Sequence, residues 1–218
     1  EGLDDDDDGI LDLSDDCAKG LLNWTSSIIT DHDSDGCHDS SEDFDDDNDG
    51  VLDALDDCSK GELNWTSNNI TDYDLDGCKD ASNEDLDDDN DSIIDTNDSC
   101  SKGDLNWTSS YTTDYDSDGC RDGSVEDTDD DNDSITDTSD TCPKGNLNWI
   151  SSITTDRDSD GCRDATEDQN DDNDSFTDSN DTCPSGRLNW SSTTLNDFDF
   201  DGCHDSTEDL HDDNDSIF

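Results

Sequence analysis

Apolar residues along this chain come singly or in pairs, and nowhere do they keep the period of an amphipathic helix or the alternation of a half-buried strand. What they keep is a much longer period. A Leu-Asn-Trp triplet recurs with its indole at Trp24, Trp65, Trp107, Trp149 and Trp190, each seven residues after a cysteine. An apolar residue also recurs inside an acidic run at Ile10, Val51, Ile93, Ile135, Phe176 and Ile217. Glutamates mark the same period at Glu1, Glu42, Glu84, Glu126, Glu167 and Glu208, in steps of 41 or 42 residues. The chain therefore divides into repeat 1 (1–41), repeat 2 (42–83), repeat 3 (84–125), repeat 4 (126–166), repeat 5 (167–207) and the start of a sixth (208–218). The stretches between acidic runs, such as 57–71, are rich in Gly, Ser, Thr and Asn. The predicted fold is thus a mostly irregular tandem-repeat array, with little helix or strand.

Composition sharpens this picture. The formal charge is -59 and only 25% of the residues are hydrophobic, a balance that belongs to disordered chains unless something other than burial organises them. Nearly all of the acid is Asp, whose short stem suits tight ligand loops. Such a field repels nucleic acid and anionic lipid and attracts multivalent cations. No apolar run approaches the roughly 20 residues that a membrane span needs. The ten regularly spaced cysteines point to an oxidising compartment, outside the cell or on its surface.

Each repeat holds two acidic loops. In repeat 2 the first has Asp45, Asp47, Asp49, Gly50, Asp53 and Asp56 at positions 1, 3, 5, 6, 9 and 12. Those are the ligand positions of a twelve-residue calcium loop, with glycine at the sharp turn. The equivalent acids are Asp4, Asp6, Asp8, Asp12 and Asp15 in repeat 1, and Asp87, Asp89, Asp91, Asp95 and Asp98 in repeat 3. Repeat 4 has Asp129, Asp131, Asp133, Asp137 and Asp140; repeat 5 has Asn170, Asp172, Asp174, Asp178 and Asp181.

The second loop reads DxDxDGCxD. Its candidate ligands are Asp31, Asp33, Asp35, Asp39 and Glu42 in repeat 1, Asp72, Asp74, Asp76, Asp80 and Glu84 in repeat 2, and Asp114, Asp116, Asp118, Asp122 and Glu126 in repeat 3. Repeats 4 and 5 supply Asp156, Asp158, Asp160, Asp164 and Glu167, then Asp197, Asp199, Asp201, Asp205 and Glu208. The glutamate lands on position 12, except that repeats 2 and 3 carry one extra residue before it and are expected to close differently. About two calcium ions per repeat are expected. Their release should set in near pH 4, close to the intrinsic Asp pKa of about 3.9.

Helices do not flank these loops, because only Asp43 and Phe44 separate Glu42 from Asp45. With DDDNDGVLDALDDC followed by a second DxDxDGC, and a Cys-Pro step at Pro143 and Pro184, the chain resembles the thrombospondin type 3 repeat along essentially its whole length. The resemblance implies an extracellular module without a conventional core, ordered by calcium and by disulfides between successive cysteines. The chain departs from that family in its longer Ser/Thr-rich connector and in the serines that replace the position-6 glycine at Ser92, Ser134, Ser175 and Ser216.

Within repeats the cysteine interval is a constant 20: Cys17 to Cys37, Cys58 to Cys78, Cys100 to Cys120, Cys142 to Cys162 and Cys183 to Cys203. This favours bridges inside each copy, with bridges between copies as the alternative. The tryptophans are read as burial payload for a core-poor repeat. The basic residues directly after the second cysteine (His38, Lys79, Arg121, Arg163, His204) are read as charge compensation. N-glycosylation sequons fall at Asn23, Asn64, Asn69, Asn90, Asn97, Asn106, Asn132, Asn173, Asn180, Asn189 and Asn214. Asn148 keeps its place before Trp149 without a sequon.

No nucleophile and base pair is evident, so no enzyme is expected. The expected function is structural: a window on a longer calcium-stiffened, disulfide-stapled, glycosylated rod, whose copies touch their neighbours and which associates laterally. The alternative is a calcium-dependent adhesion or ligand-binding module, or a spacer, of a cell-surface protein.

Overall fold

A computed structural model describes residues 3–210 and 212. Glu1, Asn214, Ser216 and Ile217, singled out above, lie outside the described residues. Among those described, the only regular element is a single 3-10 turn, Asp178–Asn180; everything else is turn, bend and coil. No helix there is long and apolar enough to cross a membrane. The chain forms two compact units, Glu1–Thr108 and Ser109–Phe218.

The interior of each unit inverts the usual rule. Among the described residues the buried apolar ones are half-cystines such as Cys37, Cys78 and Cys162, joined in the second unit by Trp149; the other buried side chains are all aspartates. Asp8, Asp31, Asp49, Asp72, Asp133, Asp156 and Asp174 are each 0% exposed. Isolated carboxylates in such positions would carry a large desolvation penalty, so the inward-facing acids must be neutralised.

Four disulfides join Cys17–Cys37, Cys58–Cys78, Cys142–Cys162 and Cys183–Cys203, each across 20 residues. Cys100 and Cys120 are disulfide-bonded as well, and no cysteine is free. Pairing within the copy is thus found at four bridges. Each closes a loop whose constraint is worth on the order of 3 kcal/mol. Each also ties the end of a first loop to position 7 of the second.

Between the cysteines one serine holds the two loops together. The Ser67 N–H donates to the Asp49 carbonyl at 2.9 Å, and its hydroxyl donates to Asp72, the first residue of the second loop. Ser26, Ser151 and Ser192 repeat both bonds, the first to Asp8 and Asp31, the second to Asp133 and Asp156, the third to Asp174 and Asp197. Just upstream, Asn23, Asn64, Asn106, Asn148 and Asn189 adopt φ of 61–68°, a left-handed conformation that asparagine tolerates. This explains why Asn148 persists without a sequon.

Candidate metal centres

The first loop of repeat 2 shows how backbone geometry aims carboxylates inward. Left-handed Asn48 (φ 55°) and Gly50 (φ 100°) curl the chain around its own acids. Amides then pin one oxygen of each: Gly50 N–H donates to Asp45 Oδ2 (3.2 Å), Val51 N–H to Asp49 Oδ1 (2.7 Å) and Cys58 N–H to Asp56 Oδ1 (2.7 Å). The opposite oxygens, Asp45 Oδ1, Asp49 Oδ2 and Asp56 Oδ2, are buried and accept no hydrogen bond. Asp45, Asp47 and Asp49 each offer an oxygen within 4.8 Å of the others, as do Asp4, Asp6 and Asp8. These groups could hold a metal ion, and the orphaned oxygens fit one well.

In the second loops donors reach both oxygens of the first acid. Asp31 accepts from Asp35 N–H (3.1 Å), Gly36 N–H (3.3 Å) and Ser26 Oγ (2.5 Å). Asp31, Asp33 and Asp35 form another group within 4.8 Å, and Asp72, Asp74 and Asp76 a further one.

Position 9 has a further use beside the one its spacing suggests. In both loop types its Oδ1 accepts the N–H of position 2, closing the loop as a staple. Asp46 N–H donates to Asp53 at 2.9 Å, His32 N–H to Asp39 at 3.0 Å, and Arg157 N–H to Asp164 at 2.9 Å. Asp12, Asp80, Asp95, Asp122, Asp137, Asp178 and Asp205 do the same.

The glutamates are also re-addressed. A β-carbon placed on Gly61 would lie 3.0 Å from Asp47 Oδ2 and 3.0 Å from Glu84 Oε1; Gly145 and Gly186 stand in the same way between Asp131 and Glu167 and between Asp172 and Glu208. The carboxylate expected to end a second loop therefore reaches the position-3 aspartate of the first loop before it. Glu42 likewise lies against Gly20, whose N–H donates to Asp6 at 2.9 Å. The extra residue in repeats 2 and 3 changes the turn before the glutamate: in repeats 1, 4 and 5 the N–H of Glu42, Glu167 and Glu208 donates to the carbonyl of the residue after the second cysteine, whereas the N–H of Glu84 and Glu126 donates to Ser82 and Ser124 Oγ, with Ala81 (φ 57°) and Gly123 (φ 72°) left-handed. Glu84 still reaches Gly61.

The position-6 serines find a physical reason here. In first loops a β-carbon on Gly9 or Gly50 would meet only a threonine methyl at 3.9 or 3.8 Å, so Ser92, Ser134 and Ser175 fit at φ of 83–96°. In second loops a β-carbon on Gly36, Gly77, Gly161 or Gly202 would sit 2.0–2.3 Å from the position-12 aspartate of the first loop. Only glycine permits that approach.

Crowding raises the acids. Burial first, and neighbouring carboxylates after it, push Asp56, Asp98 and Asp140 up to about 7. Asp74, Asp116 and Asp158 in the second loops also rise to about 7, mainly by burial and then by the adjacent position-5 acid.

Three recurring features had no assigned partner in the sequence. The tryptophans carry the residue after the second cysteine: Trp24 and Trp190 meet His38 and His204 edge-on at 4.8 and 5.0 Å, while Lys79 and Arg163 lie 6.0 and 5.9 Å from the Trp65 and Trp149 ring centres. Position-4 asparagines Asn48, Asn90, Asn132 and Asn173 donate across to Asp33, Asp74, Asp116 and Asp158 of the preceding second loop. The residue at position 2 of a second loop reaches the next copy, as Tyr73 Oη donates to the Gly103 carbonyl at 2.9 Å and Tyr115 Oη to that of Gly145 at 2.8 Å.

The candidate glycan acceptors Asn23, Asn64, Asn69, Asn90, Asn97, Asn106, Asn132, Asn173, Asn180 and Asn189 are all exposed.

No protein-family model and no curated protein matches this chain.

Proposed function

We propose that this chain is an extracellular calcium-binding structural protein, a segment of a rod ordered by calcium and disulfides and carrying N-linked glycans. The observation that supports the reading best is the recurrence, in the first loop of copy after copy, of buried carboxylate oxygens without a hydrogen bond, as at Asp8, Asp49, Asp133 and Asp174. Clusters made only of oxygen donors favour hard cations, and irregular loops with many carboxylates suit the larger, geometrically tolerant calcium ion over magnesium. Zinc is disfavoured because every cysteine is oxidised. The bridges favour an oxidising compartment, and the acid spacing keeps its resemblance to thrombospondin type 3 repeats. The indoles already carry a packed neighbour, which favours a structural use over a sugar-binding one.

The test is small-angle scattering on the fully oxidised chain with excess calcium and after chelation. A chelated chain that expands strongly, with re-addition of calcium restoring its dimensions, is expected. Equal compactness in both states would overturn the reading.

A further inference from the structure

The loops do not exhaust the acids of this chain. Between each second loop and the next first loop lies a further cluster that spacing alone would treat as linker. At the first junction it consists of Asp39, Asp43 and Asp46, whose oxygens come within 4.8 Å of one another. Asp43 Oδ1 accepts the Asp45 N–H at 3.1 Å, while Asp43 Oδ2 and Asp46 Oδ1 are buried and accept nothing. Asp46 is 5% exposed.

The pattern recurs. At the second junction Asp85 and Asp88 are 7% and 6% exposed, and at the third Asp127 and Asp130 are 8% and 7% exposed. In both, the Oδ2 of the first acid and the Oδ1 of the second are buried without a hydrogen bond, as they are at Asp168 and Asp171 of the fourth.

The first three junctions also carry one cation each. Lys60 bridges Asp39 and Asp46, Lys102 bridges Asp80 and Asp88, and Lys144 bridges Asp122 and Asp130. At the fourth, Ser185 stands in place of the lysine and donates to Asp171 at 3.3 Å. There Arg157 replaces the tyrosine of earlier copies and donates to the Gly186 carbonyl at 2.8 Å. One positive charge thus stands against three carboxylates at each of the first three junctions, whereas a neutral serine faces Asp171 at the fourth. What is left over matches one divalent ion.

The geometry points to a third cation site at each junction between copies, formed by the aspartate after the glutamate and the position-2 aspartate of the next loop, with the position-9 aspartate of the second loop beside them. It rests on the calcium reading above and adds four sites to the two per copy that the loops supply. The lysine occupies the outer oxygens Asp39 Oδ2 and Asp46 Oδ2 and leaves the inward pair, Asp43 Oδ2 and Asp46 Oδ1, to the ion.

The test is a calcium count on the intact oxidised chain by native mass spectrometry. Replacing the position-2 acids together (Asp46→Asn, Asp88→Asn, Asp130→Asn, Asp171→Asn) should lower the count by four and leave the loop ions in place. An unchanged count overturns the inference. Lys60→Met, Lys102→Met and Lys144→Met together should keep the wild-type count and tighten binding at three sites. A gain of three ions would instead show the lysines to be the sole occupants. Because this variant keeps every carboxylate, it decides the matter even where the asparagine variant fails to fold. A wild-type chain that binds no calcium at all sinks the parent reading rather than this one.

Discussion

At the scale of single residues the two kinds of position-6 turn make the sharpest contrast. Both have positive φ, but only the second-loop turn has a carboxylate pressed against its Cα. Gly50→Ser should therefore cost no more than about 1 kcal/mol, the strain that Ser92 and its equivalents already bear. Gly77→Ser should drive Asp56 out of its place, lower the melting temperature much further and remove at least one bound calcium. Thermal unfolding and ion counting on the two variants check this, and equal behaviour would contradict the proposed contact. The same contrast shows why the sequence was legible only in part. The two loops look alike as strings of Asp-x-Asp-x-Asp, whereas the difference between them lies in what a neighbouring loop brings up to the turn.

At the scale of the loop and its neighbours, the irregular fold, the two loops per copy and the bridges inside the copy could all be read from spacing. Period and constant intervals are one-dimensional quantities. What could not be read was which copy a side chain serves: Glu84 closes on Asp47, Asn90 on Asp74, Lys102 on Asp80. The recurrence of Asn at position 4 and of Lys two residues after the first cysteine were the available signals, but a recurrence does not name its partner. Tyr73 and Tyr115 are the plainest ties between successive copies. Tyr73→Phe, which removes only a hydroxyl donating to the Gly103 carbonyl, should lower stability against denaturant by about 1 kcal/mol. No loss would show that copies are coupled by their acids alone.

At the scale of the molecule, charge governs. Acids such as Asp56, Asp74 and Asp140 stand near 7 in the metal-free fold, against about 3.9 unfolded. The metal-free folded form therefore holds more protons than the unfolded one. Its stability from these groups is complete below pH 4 and is lost as pH rises through 6 to 7. Chelated protein should be compact at pH 4 and expanded at pH 8, by scattering. Calcium reverses the sign, since it must displace those protons. Its affinity should fall on the order of tenfold between pH 7.5 and 5.5, well before the pH 4 onset expected from isolated aspartates. An affinity unchanged over that interval would mean that the buried acids are not the ligands.

The backward reach of the glutamate fixes where this chain can be cut. A segment beginning at Glu42 and ending at residue 83 follows the written period, yet it carries a glutamate that serves its predecessor and lacks Glu84, which serves its own first loop. The stretch that keeps each glutamate with the loop it serves is offset from the visible repeat, starting after one glutamate and running through the next. A protease clipping just ahead of Glu84 would sever a carboxylate from Asp47 across the break, so damage at one seam would loosen the copy upstream before the one downstream.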